Sequence, residues 1–349
     1  MSSNSPPQAL ATGPRRRVAV VGAGSWGTAL AAVLATNGHD TVLWARETLV
    51  AKAIDRAKTN ETFLPDVELP SSLRATDSLK VAIEGADVVV SAVPAQFAAS
   101  VWAEAAAYLG PEALLVSAAK GIELSSLRRM DEVFVDLLGE TLRDRFAVIS
   151  GPSFAAEVAR GIPTAVVVAS RVPAVAERVQ SLFVNNQFRV YTNSDVVGVE
   201  LGGALKNVMA LAAGVAVGLG FGHNTMAALI TRGLDEMTRL GVAMGARRET
   251  FAGLAGMGDL VLTCTGALSR NRTVGVRLGQ GESLASILGE MQAVAEGVET
   301  AKAVTSLAAR HGVEMPIAEE VRAMLVDGRD PKQAFQNLMT RDPKSEEWS

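Results

Sequence analysis

The chain has 349 residues, 48% hydrophobic and 20% charged, with a formal net charge of −4. That apolar content excludes global disorder, and the lack of any long basic run argues against nucleic acid as a partner. One cysteine, Cys264, excludes an internal disulfide, and three scattered histidines (His39, His223, His311) offer no metal cluster. One core seldom grows past about 250–300 residues, so two domains are expected.

Residues 1–14 are rich in Ser, Pro, Ala and Gln and lack the apolar core of a secretory signal, which reads as a disordered tail and a cytoplasmic protein. Val18 to Val21 is a short apolar run of the kind buried on both faces of a parallel sheet. Thr28 to Thr36 is Ala/Leu-rich and helical, closed by Asn37-Gly38, and Thr41 to Trp44 is the next strand. Ala86 to Val93, Ala113 to Ser117, Phe146 to Ile149 and Thr164 to Ala169 repeat the strand pattern. Strands alternating with helices predict an α/β fold, a doubly wound Rossmann-type parallel sheet over residues 15–193.

Past about Val196 the valine runs stop. Glu200 to Ala213, Thr225 to Leu240, Ser283 to Met291, Thr300 to Ala309 and Ile317 to Leu325 predict an all-helical second domain over residues 194–341, with 342–349 as a tail. Val208 to Gly222 is the most membrane-like stretch. It is too short to span a bilayer and reads as an interior helix.

Gly22-Ala23-Gly24-Ser25-Trp26-Gly27 is a G-x-G-x-x-G sequence that follows a strand and opens a helix, the context that makes it a dinucleotide fingerprint. Gly22 serves the tight turn, Gly24 the close approach of backbone to pyrophosphate, and Gly27 the helix–strand packing. Ser25 is read as a phosphate contact. Arg46, at the end of the second strand, stands where a guanidinium can receive the 2′-phosphate of NADPH. Glu47, one place on, leaves NADH open.

Further segments carry a resemblance: Ser150-Gly151-Pro152-Ser153-Phe154-Ala155, Glu200-Leu201-Gly202-Gly203-Ala204-Leu205-Lys206-Asn207, Gly256-Met257-Gly258-Asp259-Leu260, Thr263-Cys264-Thr265, Ser269-Arg270-Asn271-Arg272 and Val294-Ala295-Glu296-Gly297. With Gly22–Gly27 and Ala118–Gly121, the chain resembles bacterial NAD(P)-dependent sn-glycerol-3-phosphate dehydrogenases over roughly Val18 to Val326. The resemblance implies reduction of dihydroxyacetone phosphate to sn-glycerol 3-phosphate, the backbone of phospholipids. It also implies a homodimer, with substrate held between the two domains.

On that resemblance Lys206 is the general acid/base, since hydride delivery to a ketone creates an alkoxide that needs a proton. Lys120 reaches substrate and coenzyme. Asp259 orients substrate and Lys206, with Asn207 and Thr263 beside them. Arg270, able to grip phosphate through two parallel hydrogen bonds, works with Ser269 and Asn271, and also touches coenzyme. Gly151 and Ser153 face substrate. Ala155, Trp26, Val294 and Glu296 face coenzyme. Cys264 reads as a buried structural thiol, and His223 as a loop-packing residue. Two other readings are a dehydrogenase acting on another hydroxy or keto acid, which would lack the Ser269-Arg270-Asn271 phosphate site, and a non-catalytic NADPH sensor, which would not need Lys120, Lys206, Asp259 and Arg270 together.

Overall fold

The computed structural model describes residues 14–291, 295–343 and 345. Val294 and nearly all of the expected N-terminal tail lie outside the described residues.

Eight strands form one sheet: β1 (Arg17–Val21), β2 (Asp40–Trp44), β3 (Arg74–Thr76), β4 (Val88–Ser91), β5 (Leu114–Ser117), β6 (Phe146–Ser150), β7 (Thr164–Ala169) and β8 (Phe188–Asn193). Their order is β3-β2-β1-β4-β5-β6-β7-β8. Alternate residues of β1 enter different cores: Val18 and Val20 pack on one face, Ala19 and Val21 on the other. That two-sided burial is why these segments read as unbroken apolar runs.

The doubly wound sheet is present, but it is not parallel throughout. β7 pairs antiparallel with β6, and β8 pairs parallel with β7, so the last two strands run back. A parallel return needs a crossover that spans the sheet. Between β6 and β7 the chain forms only the five-residue helix Ala155–Ala159, so β7 starts near the edge where β6 ends.

Beyond β8 the described residues are helical. The long helix Val196–Gly218 is buried almost all round. It is long and apolar enough to cross a membrane, yet 89% of its most apolar window is buried inside the protein, as in a core helix. Its neighbour Arg270–Gly279 crosses it backbone to backbone. A Cβ at Gly214 would meet the Arg272 carbonyl oxygen, and one at Gly275 would meet the Leu211 carbonyl oxygen. Two small-xxx-small spacings, Gly214/Gly218 and Gly275/Gly279, create this contact and fix where the second helix begins.

The long helix is also tied to the sheet domain. Asp131 N–H donates to Glu200 Oε1 at 3.0 Å, and Arg129 Nε lies 3.4 Å from Glu200 Oε2. Burial pushes the Glu200 carboxyl well above its ordinary range, with Asp131 adding to the shift and Arg129 opposing it. These contacts hold the helix that carries Lys206 against the sheet domain.

Candidate active site

A cleft of about 680 Å³ opens between the carboxyl edge of the sheet and the helical domain. On one side, Gly22, Gly24, Ser25, Trp26 and Gly27 line it at the start of helix Ser25–Thr36. Gly22 has φ +114°, a left-handed region that favours glycine. A Cβ on Gly27 would run into the Gly22 carbonyl oxygen, whereas nothing lies within 4 Å of a Cβ on Gly24. The loop is therefore packed tight against strand and helix and open towards the cleft. Amides at a helix N-terminus facing such a space suit a pyrophosphate, so the cradle fits a dinucleotide.

Opposite, helix Asp259–Thr265 follows a π-helical turn, Leu254–Gly258. Asp259 is 1% exposed and holds two lysines, one on each oxygen. Lys206 Nζ donates to Asp259 Oδ1 at 2.7 Å and to Thr263 Oγ1 at 2.8 Å. Lys120 Nζ donates to Asp259 Oδ2 and to the Gly151 carbonyl, both at 2.9 Å, and lies 3.4 Å from Ser153 Oγ. It also stands over the Trp26 ring, 5.7 Å from the centroid, within cation–π reach. Lys206 comes from the helical domain and Lys120 from the loop after β5, so Asp259 joins groups 139 residues apart in sequence for Lys120 alone.

Burial pulls the Lys206 ammonium down from 10.5 to about 8. Asp259 pulls it back up, and Lys120 adds to the lowering. An ammonium of this acidity stays mostly charged at neutral pH yet is a stronger acid than an ordinary lysine towards a growing alkoxide, and a second cation lies close by to favour developing negative charge.

A third part of the cleft is the start of helix Arg270–Gly279. Ser269 is its N-cap and accepts from Arg272 N–H at 3.2 Å, which leaves its own hydroxyl proton free to donate. Arg270 is exposed into the cleft. Glu296, the first residue of helix Glu296–His311, lines the cleft too. Burial pushes its carboxyl up, while Arg270, Lys206, Lys120 and the Ala95 N–H favour its ionised form.

Two models of known families match this chain: NAD-dependent glycerol-3-phosphate dehydrogenase N-terminus over residues 17–176, and NAD-dependent glycerol-3-phosphate dehydrogenase C-terminus over residues 195–336. A glycerol-3-phosphate dehydrogenase [NAD(P)+] of Geobacter sulfurreducens is 57% identical, over 95% of this chain and 99% of its own length.

The chain belongs to the NAD(P)-dependent glycerol-3-phosphate dehydrogenase family.

Another relative, from Koribacter versatilis, is 50% identical over 95% of this chain and 99% of its own. The crystal structure of glycerol-3-phosphate dehydrogenase from Coxiella burnetii superposes with a TM-score of 0.89 at 39% identity, covering 94% of this chain and 99% of that one.

In this glycerol-3-phosphate dehydrogenase family member the structure gathers most of the expected site residues at one cleft. Gly22, Gly24, Ser25, Trp26, Gly27, Arg46, Lys120, Ser153, Ala155, Lys206, Asn207, Asp259, Ser269, Arg270, Asn271 and Glu296 all line it. Gly151 does not line it and contributes through its carbonyl to Lys120. Arg272 is not among the lining residues.

Three residues are engaged differently from the sequence reading. The Ser25 hydroxyl donates to the Phe63 carbonyl at 2.6 Å and so tethers a loop rather than standing free for phosphate. Asn207 Nδ2 donates to the Lys120 carbonyl, Asn271 Nδ2 donates to Asn207 Oδ1, and Gly297 N–H donates to Asn271 Oδ1, each at 3.0 Å. Both amides are thus links in a chain running from the Lys120 loop to helix Glu296–His311. Each keeps one amide proton for a ligand.

Sequence reasoning missed the apolar rim. Phe63, Leu64 and Pro65 line the cleft from a loop pinned to the glycine turn by Asn60, whose Nδ2 donates to the Ala23 carbonyl at 2.9 Å and to Thr28 Oγ1 at 2.8 Å. Phe97 and Leu268 also line the cleft and are exposed. No periodicity marks them, because each is a single apolar residue in an irregular or terminal position. Cys264 is buried, and burial pushes its thiol up to about 12, far from a nucleophile's range. His223 is exposed and lies outside the cleft lining. Among the described residues no group of three or more His, Cys, Asp or Glu is placed to hold a metal.

Proposed function

We propose that this protein reduces dihydroxyacetone phosphate to sn-glycerol 3-phosphate, reversibly, with NADPH as coenzyme and NADH also accepted. The observation that carries the reading is the Lys206–Asp259–Lys120 arrangement facing the glycine turn across one cleft. The nicotinamide, when bound, supplies the hydride that adds to the substrate's carbonyl carbon. Gly22, Gly24, Trp26 and Gly27 hold the dinucleotide at the helix N-terminus, with Ala155 and Glu296 beside it and Arg46 on the 2′-phosphate.

Lys206 donates its proton to the carbonyl oxygen as negative charge grows there, then recovers a proton from solvent. In the oxidation direction the neutral amine accepts the hydroxyl proton. Thr263 accepts from Lys206 Nζ while donating to the Asp259 carbonyl at 2.6 Å, so the amine is held without competing protons. Lys120, held by Asp259 and Gly151, adds positive charge on the other side and contacts the substrate with Ser153 and Asn207.

The phosphate sits at the start of helix Arg270–Gly279. Arg270 clamps it, Ser269 and Asn271 add donors, and the helix N-terminus favours the anion. Charge-assisted hydrogen bonds contribute about 1.5–3 kcal/mol each, so Arg270→Ala raises KM for dihydroxyacetone phosphate by about 10–100-fold. An unchanged KM removes Arg270 from the phosphate site. The product serves glycerophospholipid synthesis, and the protein acts as a homodimer in the cytoplasm. The single thiol, Cys264, suits a reducing compartment.

The functional test is coenzyme oxidation with dihydroxyacetone phosphate against unphosphorylated dihydroxyacetone. The expected result is rapid turnover of the first and little of the second. Equal turnover of both, or turnover of a different keto acid alone, points instead to another dehydrogenase reaction. Coenzyme binding with no turnover of any substrate points to a sensor.

A further inference from the structure

Two opposite charges meet at the carboxyl end of β2, and they meet each other. Arg46 Nε and Nη2 both donate to Glu47 Oε1, at 2.9 and 2.6 Å. Both residues line the cleft. Their side chains are 75% and 41% exposed, and an ion pair so exposed holds weakly. The guanidinium is therefore free to turn to a better anion.

Among the described residues Arg46 is the side chain that pairs with Glu47. Glu47 precedes the short helix Thr48–Lys52, yet its carboxylate caps none of that helix's amides. The next hydroxyl, on Thr48, donates to Asp77 instead, at 2.6 Å, so the neighbouring charge is a second acid. Asp66 also lines the cleft. When Arg46 turns to a 2′-phosphate, Glu47 is left without its cation, beside a group carrying a charge of about −2. The ribose of NADH presents a 2′-hydroxyl there, a donor that a carboxylate at the end of this strand is suited to accept.

We propose that Glu47 sets the coenzyme preference: it holds back NADPH by occupying Arg46 and repelling the 2′-phosphate, and it supports NADH by accepting the 2′-hydroxyl. Arg46 alone would commit the cleft to NADPH. The pair makes it a two-coenzyme site, with Glu47 as the brake. This inference rests on the coenzyme cleft proposed above and not on the identity of the reduced substrate.

The test is a binding measurement, with kinetics beside it. Trp26 and Trp44 both line the cleft, so quenching of tryptophan fluorescence reads Kd for NADPH and NADH directly. Glu47→Gln is expected to raise the ratio of NADPH to NADH affinity by about tenfold, tightening NADPH and weakening NADH, and the ratio of kcat/KM values should move the same way. Arg46→Ala should move both ratios oppositely. The gain in NADPH affinity should shrink as salt rises. A Glu47→Gln ratio within about twofold of the original, or equal weakening of both coenzymes, overturns the proposal. If dihydroxyacetone phosphate proves not to be the substrate, the two Kd values still decide the role of Glu47.

Discussion

Lys206→Ala leaves coenzyme binding intact and lowers kcat by about 10²–10⁴-fold, the range that general acid–base catalysis contributes. Lys206 is 6% exposed, its ammonium is held by Asp259 and Thr263, and it lines the cleft. Truncation removes the proton donor and leaves Lys120 to hold Asp259 alone. Lys120 is itself bound to Gly151 and stands over Trp26, which keeps it from taking over the vacant position. Coenzyme Kd, read by fluorescence, should stay near the original while turnover collapses. Turnover within a fewfold of the original would remove Lys206 from the proton-donor role.

Asp259→Asn is the second large effect, and it acts on stability as well as rate. The carboxylate is buried and pairs with two ammonium groups, one on each oxygen. An asparagine has one acceptor oxygen for the two lysines and aims a donor at the other. Removing one partner of a buried ion pair costs about 3–5 kcal/mol, since the remaining charge is left without compensation. Because Asp259 supports the charged form of Lys206, its loss lowers that ammonium further and moves the alkaline limit of reduction to lower pH. Calorimetric unfolding should show the loss of stability. A pH–rate profile separates it from the effect on Lys206, because an unstable but otherwise normal site would keep its alkaline limit. A variant as stable as the original, with an unshifted limit, would contradict the shared-carboxylate account.

Much of this was legible in the sequence, for identifiable reasons. β1, β2 and β4 to β7 are apolar runs because the sheet is covered on both faces, and the glycine turn is marked by needs that no side chain can meet. β3 is three residues, Arg74–Thr76, with no buried position among them, and leaves no pattern. β8 carries three exposed residues, Arg189, Tyr191 and Thr192, and lies at the edge of the sheet. Lys206, Asp259 and Arg270 were found through motif resemblance. Their convergence was not legible, since it depends on the Gly214–Gly275 helix crossing and on Asp131 and Arg129 contacting Glu200 across the domains. The Asn207–Asn271 chain was hidden for the same reason: it joins residues 64 and 87 positions apart through amide groups that, read alone, look like ligand donors. Arg46 could be read as a 2′-phosphate residue, but its capture by Glu47 is a matter of side-chain geometry.

The most direct test of the central claim, that a buried lysine moves the proton of the reaction, is the pH dependence of kcat in both directions. Lys206 is held at about 8. Reduction uses its charged form, so the reduction rate should be level below that pH and fall as pH rises through it. Oxidation uses the neutral amine and should rise through the same pH. Opposite limbs that cross near 8 are the predicted result. Rates that are flat in both directions across that range, or limbs that run the same way, would contradict it.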